Sequence, residues 1–144
     1  LATERAAAGM IAGSHGSTFG GNPLAMAVGN AVLDVVLEPG FLDHVNKIAN
    51  YLRQQLSMVV DRNGSIVEDV RGQGLLLGLK CKVPNNQVID ALRERGLLTV
   101  GAGDNVVRIL PPLIATEEHV REAIGILNDA CQSLAHAPAK DAAK

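Results

Sequence analysis

The sequence predicts an α+β domain, a small antiparallel or mixed sheet with helices on one face, preceded by a glycine-rich loop and an apolar helix. Three observations carry this expectation. From residue 41 onward the apolar pattern switches between helical and strand periods in the order α, β-β, α, β-β, α. The composition is 47% hydrophobic but 2% aromatic, so the single core that 144 residues can bury is aliphatic. Gly, Pro and Asn-Gly punctuation separates the segments.

The loop comes first. Residues 13–23 read Gly-Ser-His-Gly-Ser-Thr-Phe-Gly-Gly-Asn-Pro. Asn22 is a good N-cap and Pro23 suits the first helical position, which needs no N–H. The loop thus ends at a helix N-terminus, where free N–H groups and the dipole favour an anion. Gly16, Gly20 and Gly21 permit close backbone approach or positive φ. Ser17 and Thr18 offer hydroxyl donors to a phosphate or carboxylate. A silent glycine-rich turn satisfies the same local chemistry. Two sharper readings fail on spacing: no lysine precedes Ser17, as a P-loop requires, and no G-x-G-x-x-G triplet is present.

Residues 23–37 read as a helix. Leu24, Val28, Ala31, Val32, Val35 and Val36 make it apolar enough to lie between two layers or against a partner chain. Glu38-Pro39-Gly40 ends it, and the domain boundary is expected there. Residues 41–60 form an amphipathic helix with Leu42, Val45, Ala49, Leu52, Leu56 and Val59 inward. His44 reads as a surface histidine rather than a ligand. Strands are expected at 66–70 and 75–80, joined by the hairpin-like connection 71–74. The glycines at 72, 74 and 78 have the wrong spacing for a nucleotide fingerprint and lead into a strand. Residues 84–95 form a helix with Gly96 as its C-cap. Strands at 97–100 and 105–110 flank a turn at 101–104. Thr116 caps the last helix, whose stripe is Val120, Ile124, Leu127, Cys131 and Leu134. The composition after Ala135 predicts a disordered tail at 137–144.

A net charge of −2 leaves no electrostatic footprint for nucleic acid. Cys81 and Cys131 stand fifty positions apart in no metal-ligand spacing. They read as buried free thiols in a reducing compartment, with the cytoplasm as the default location. No metal site is expected. Arg108 lies inside the apolar run Val106-Val107-Arg108-Ile109-Leu110. An arginine among buried neighbours needs an anionic partner. The partner is either a structural Asp or Glu, or a substrate carboxylate held through two parallel bonds.

The loop at 13–25, Val-Arg-Gly-Gln-Gly at 70–74 and Arg-Ile-Leu-Pro-Pro-Leu at 108–113 together resemble the class III aminotransferases. Those are pyridoxal 5'-phosphate (PLP) enzymes of fold type I. Within the class, residues 101–108 and the start Leu-Ala-Thr-Glu-Arg are most similar to the acetylornithine aminotransferases. The resemblance covers residues 1 to about 134. It implies the C-terminal part of the fold: 1–38 as the end of the large PLP-binding domain and 39–136 as the small α+β domain. It implies a fragment whose Schiff-base lysine precedes Leu1, so that no catalytic residue is expected here. The first lysine in the chain is Lys47.

By the same resemblance Thr18 binds the PLP phosphate of the neighbouring subunit, and Ser17 faces the substrate. Arg108 holds the α-carboxylate of 2-oxoglutarate or glutamate. The implied assembly is a homodimer with shared active sites. The implied reaction passes the terminal amine of N-acetylornithine to 2-oxoglutarate in arginine biosynthesis. Ornithine, succinylornithine, succinyl-diaminopimelate and 4-aminobutyrate are donors in related members. A stand-alone α+β binding or regulatory module without catalysis is the alternative from a different class.

Overall fold

The computed structural model describes residues 2–136. The tail expected at 137–144 lies outside them. The chain divides into two compact units between Phe41 and Leu42.

The first unit holds a single helical turn, α1 (Glu4–Ala7), and the longer α2 (Pro23–Val36). Thr3 caps α1, a short element that the sequence reading did not anticipate. In α2 the expected start is realised: Asn22 Oδ1 accepts from Ala25 N–H at 2.9 Å, and Pro23 occupies the first turn. None of the α2 residues is buried within this structure.

The second unit contains the core. Helix α3 (Phe41–Arg62) runs two residues past its expected end. It buries Ile48, Ala49, Leu52, Leu56 and Val59. Ile48, absent from the expected stripe, is inward, and Leu42, included in it, is exposed. Leu42 stands at the first turn, where the chain enters the helix. His44 is exposed, as expected; its Nε2 lies 3.0 Å from the Ala115 carbonyl, which can accept a hydrogen bond from it.

Four strands follow: β1 (Val67–Gln73), β2 (Leu76–Cys81), β3 (Val100–Ala102) and β4 (Val106–Ile109). Helix α4 (Asn85–Glu94) separates the hairpins, and α5 (Glu117–His136) ends the described chain. The sheet order is β1-β2-β4-β3, and every pairing is antiparallel. One face of the sheet presents Val67, Leu77, Leu79, Cys81, Val107 and Ile109 to a single cluster. The buried residues of α3, α4 and α5 belong to that same cluster, so the helices cover one face and leave the other open.

Two connections depart from the expected ones. The first hairpin turns at Gly74-Leu75, and the ladder continues through Gly72 and Gln73. Gly72 remains in the ladder because it has no side chain. A Cβ there would stand 2.1 Å from the Leu76 carbonyl oxygen, and its φ is +113°. The second hairpin turns at 103–105 rather than 101–104. Its left-handed residues are Asp104 (φ 60°) and Asn105 (φ 54°), not Gly101 or Gly103. Gly101 instead lies in β3, where a Cβ would press on Asn85 Nδ2 and Ile89 Cδ1. Strand β3 therefore begins three residues later than expected. The intervening chain is drawn into the end of α4: Leu97 N–H donates to Leu92 O at 3.0 Å, and Gly96 has φ +86° as the expected cap.

Helix α5 starts after Thr116. The Thr116 N–H donates to His119 Nδ1 at 3.1 Å, and the His119 N–H donates to Thr116 Oγ1 at 3.5 Å. That reciprocal arrangement is a capping box with histidine in the third position. Cys81 and Cys131 are free and buried, as expected. Burial pushes the Cys131 thiol up to about 11. Among the described residues no single helix is long and apolar enough to cross a membrane.

Candidate functional site

The candidate residues fall in both units. Ser17 and Thr18 belong to the first, and Arg108 belongs to the second.

In the first unit the loop is held at both ends. Ser14 Oγ donates to Ile11 O at 2.6 Å and accepts from Ile11 N–H at 3.2 Å. Asn22 Nδ2 donates to Phe19 O at 2.7 Å while its Oδ1 caps α2. Gly13 and Gly21 carry the positive φ values, +80° and +74°. Gly20 instead packs closely: a Cβ there would stand 3.0 Å from the Ser17 side chain. Ser17 and Thr18 are exposed between these anchors, and their hydroxyls engage no partner among the described residues. Residues 13–23 contain no Asp or Glu. This donor set suits a phosphate dianion: unengaged hydroxyls, no competing carboxylate and a capped helix start.

In the second unit Arg108 is exposed, which corrects the expectation of a buried arginine. The reason is the two-residue period of the strand. Val107 and Ile109 point into the core, so Arg108 between them points to the open face. The alternative of a structural pair with a buried carboxylate is not realised. Arg108 has no ion-pair partner among the described residues. Its neighbour across the ladder on β2 is Gly78, and on β3 it is Val100. The guanidinium therefore stands beside a position with no side chain.

Sequence reasoning missed the charged groups around it. Arg71 on β1 pairs with Gly78 from the other side, so Arg71, Gly78 and Arg108 form one row across the open face. Lys80 lies in the next row, opposite Asp69 and Val106. Asp104 joins them from the β3–β4 turn. Its carboxylate accepts from Lys80 Nζ at 2.7 Å and from Arg71 Nη1 at 2.5 Å. Arg71 Nε also donates to Asp69 at 3.2 Å. Hydrogen bonds from Lys80 and then Arg71 hold the Asp104 carboxyl below the usual aspartate value. Asp104 and then Asp69 raise Arg71 in turn.

Asn105 fixes that turn. Its Nδ2 donates to Cys81 O at 2.7 Å and Val83 O at 2.9 Å, and its Oδ1 accepts from Asn85 N–H at 2.8 Å. The signal was present in the sequence, because Asp and Asn tolerate left-handed turn positions better than other non-glycine residues. A separate cavity of about 410 Å³ lies between α5 and the region after α4, lined by Leu97, Thr99, Ile109, Pro112 and Leu127. None of the three candidates lines it.

The family model for aminotransferase class-III matches residues 1–131. The chain belongs to the class III aminotransferases. Acetylornithine aminotransferase 1 of Bradyrhizobium diazoefficiens is 58% identical over 143 residues, 99% of this chain and 35% of that protein. Acetylornithine aminotransferase of Brucella melitensis is 58% identical over 134 residues, 93% of this chain and 33% of that protein. The chain thus spans about a third of the length of these relatives. Acetylornithine aminotransferase from Elizabethkingia anophelis superposes with a TM-score of 0.73 at 33% identity, covering 86% of this chain and 33% of that one. Plasmodium falciparum ornithine delta-aminotransferase superposes at 0.77 with 30% identity, covering 90% and 34%. The fold is that of the class III aminotransferases, the type I PLP-enzyme architecture, of which this chain is a part. The open sheet face and the loop before α2 are thus parts of an aminotransferase fold.

Proposed function

We propose that the protein containing this chain is a cytoplasmic, PLP-dependent aminotransferase. Its donor is N-acetylornithine and its acceptor is 2-oxoglutarate, a step of arginine biosynthesis. Residues 1–38 are the end of its large domain and 39–136 its small domain. It works as a homodimer with shared active sites. PLP supplies an electron sink for the exchange of amine and carbonyl. Thr18 donates its hydroxyl to the cofactor phosphate of the neighbouring subunit. Ser17 faces the substrate. Arg108 takes the α-carboxylate of 2-oxoglutarate or glutamate through two parallel N–H bonds.

The observation that carries the reading is Arg108 itself. It is an exposed guanidinium on the uncovered sheet face, beside a glycine, with no carboxylate partner among the described residues. The names of the relatives support the donor, because several acetylornithine aminotransferases are more than half identical to this chain. The test is a donor series on the full-length enzyme. With 2-oxoglutarate as acceptor, kcat/KM should be highest for N-acetylornithine among N-acetylornithine, succinylornithine, ornithine and 4-aminobutyrate. A higher value for ornithine would reassign the donor while leaving the reaction class in place.

A further inference from the structure

The open face of the sheet carries three cations, Arg71, Lys80 and Arg108, and two carboxylates, Asp69 and Asp104. The pairing among them is unequal. Asp104 bridges Lys80 and Arg71, and Asp69 takes Arg71 a second time. One positive charge remains, and Arg108 is the residue without a partner among the described residues. Arg71 and Arg108 flank the same glycine, two inter-strand spacings or roughly 10 Å apart. That is about one Debye length at 0.1 M salt, so an unpaired Arg71 would compete with Arg108 for an anion.

We propose that Asp104 is a positioning residue for substrate selection: by neutralising Lys80 and sharing Arg71 with Asp69 it leaves Arg108 as the one cation on this face that receives a carboxylate. The proposal rests on the carboxylate role of Arg108 given above. The turn is built for the task. Asp104 has a left-handed backbone, and Asn105 beside it is tied to Cys81, Val83 and Asn85. The carboxylate is therefore presented from a fixed backbone rather than from a mobile loop. Gly78 keeps the row open, because a Cβ there would already stand 2.6 Å from Val106 Cγ1.

The test uses the full-length holoenzyme and inorganic sulfate as the probe, inhibiting against 2-oxoglutarate. Asp104→Asn keeps a side chain that tolerates the left-handed turn and removes only the charge. It should strengthen sulfate inhibition about tenfold, the scale of one charge-assisted bond. Arg71→Gln should act in the opposite sense, leaving Asp104 to Lys80 and Asp69 without its cation, and so raising the KM for 2-oxoglutarate several-fold. The double variant should bring both constants back to near their original values, a compensation that a merely structural role would not give. If Asp104→Asn does not fold, Asp104→Gly, which relaxes the left-handed turn and also removes the charge, takes its place in the single and the double variant. Sulfate inhibition and KM unchanged in both single variants would overturn the proposal. Arg108→Lys separates the two readings: an unchanged KM for 2-oxoglutarate there removes the role of Arg108. A raised KM there, with Asp104→Asn indifferent to sulfate, removes only the role of Asp104.

Discussion

Lysine at position 108 would keep the positive charge but offer a point donor in place of a planar fork. A charge-assisted bond contributes about 1.5–3 kcal/mol, so Arg108→Lys should raise the KM for 2-oxoglutarate roughly tenfold or more. Steady-state kinetics on the full-length enzyme checks this, with the same change expected for glutamate in the reverse direction. Cys131 gives a pH dependence. Burial raises its thiol from the ordinary 9.0 to about 11. The unfolded chain therefore releases its proton at lower pH than the folded one. The contribution to stability is complete below pH 9 and declines as pH rises toward 11. Cys131→Ser should flatten that part of the stability-against-pH curve. Alkylation of the native protein at pH 8 should leave Cys131 unmodified, and rapid labelling there would contradict the buried thiol.

Hairpin β3–β4 depends on one side chain more than on its glycines. Asn105 ties the end of β2, the start of α4 and the turn together through three hydrogen bonds. Asn105→Ala removes all three and places a Cβ residue without a polar side chain at φ 54°. The expected loss is about 2–4 kcal/mol. Asn105→Gly removes the bonds but keeps the backbone relaxed, and should fall between the two. Denaturant titration followed by a probe in this unit measures the order; equal stability of all three would refute the role. Most elements were legible as patterns. The stripe of α5 and the N-cap of α2 follow from periodicity and capping chemistry. The exact turn was not, because Gly101 and Gly103 are the conventional turn residues, yet the contact of Gly101 with α4 decides its place in β3.

The exposed apolar surface of α2 sets the behaviour of the whole molecule. Leu24, Val28, Val32 and Leu33 are between 53% and 76% exposed on one short helix. Residues 1–144 expressed alone should self-associate and should not transaminate. Sedimentation and an activity assay test both parts, and a monomeric, active product would refute the expectation. Thr18 tests the shared site. Thr18→Val keeps the shape and removes a bond of about 1.5–3 kcal/mol, so PLP affinity should fall about ten- to a hundred-fold. Mixing that parent with one lacking the PLP lysine but retaining Thr18 should restore activity at limiting PLP. Restoration requires the hydroxyl to act across the interface. Heterodimers that form without recovery would place Thr18 in its own chain's site.

The sequence by itself determined the class of fold, the element order, the aliphatic core, the capped loop before α2 and the identity of Arg108 as a residue of interest. Those properties are local: periodicity, capping and turn chemistry act over a few neighbouring residues, and motif resemblance needs only their order. The tertiary structure decided which face of the sheet is covered. That choice reversed the expected environment of Arg108, since alternation leaves the residue between two core positions on the open side. It also assembled Arg71, Lys80, Asp69 and Asp104 around the Gly78 row. Arg71 and Asp104 are thirty-three positions apart, and only strand register brings their charges to one surface.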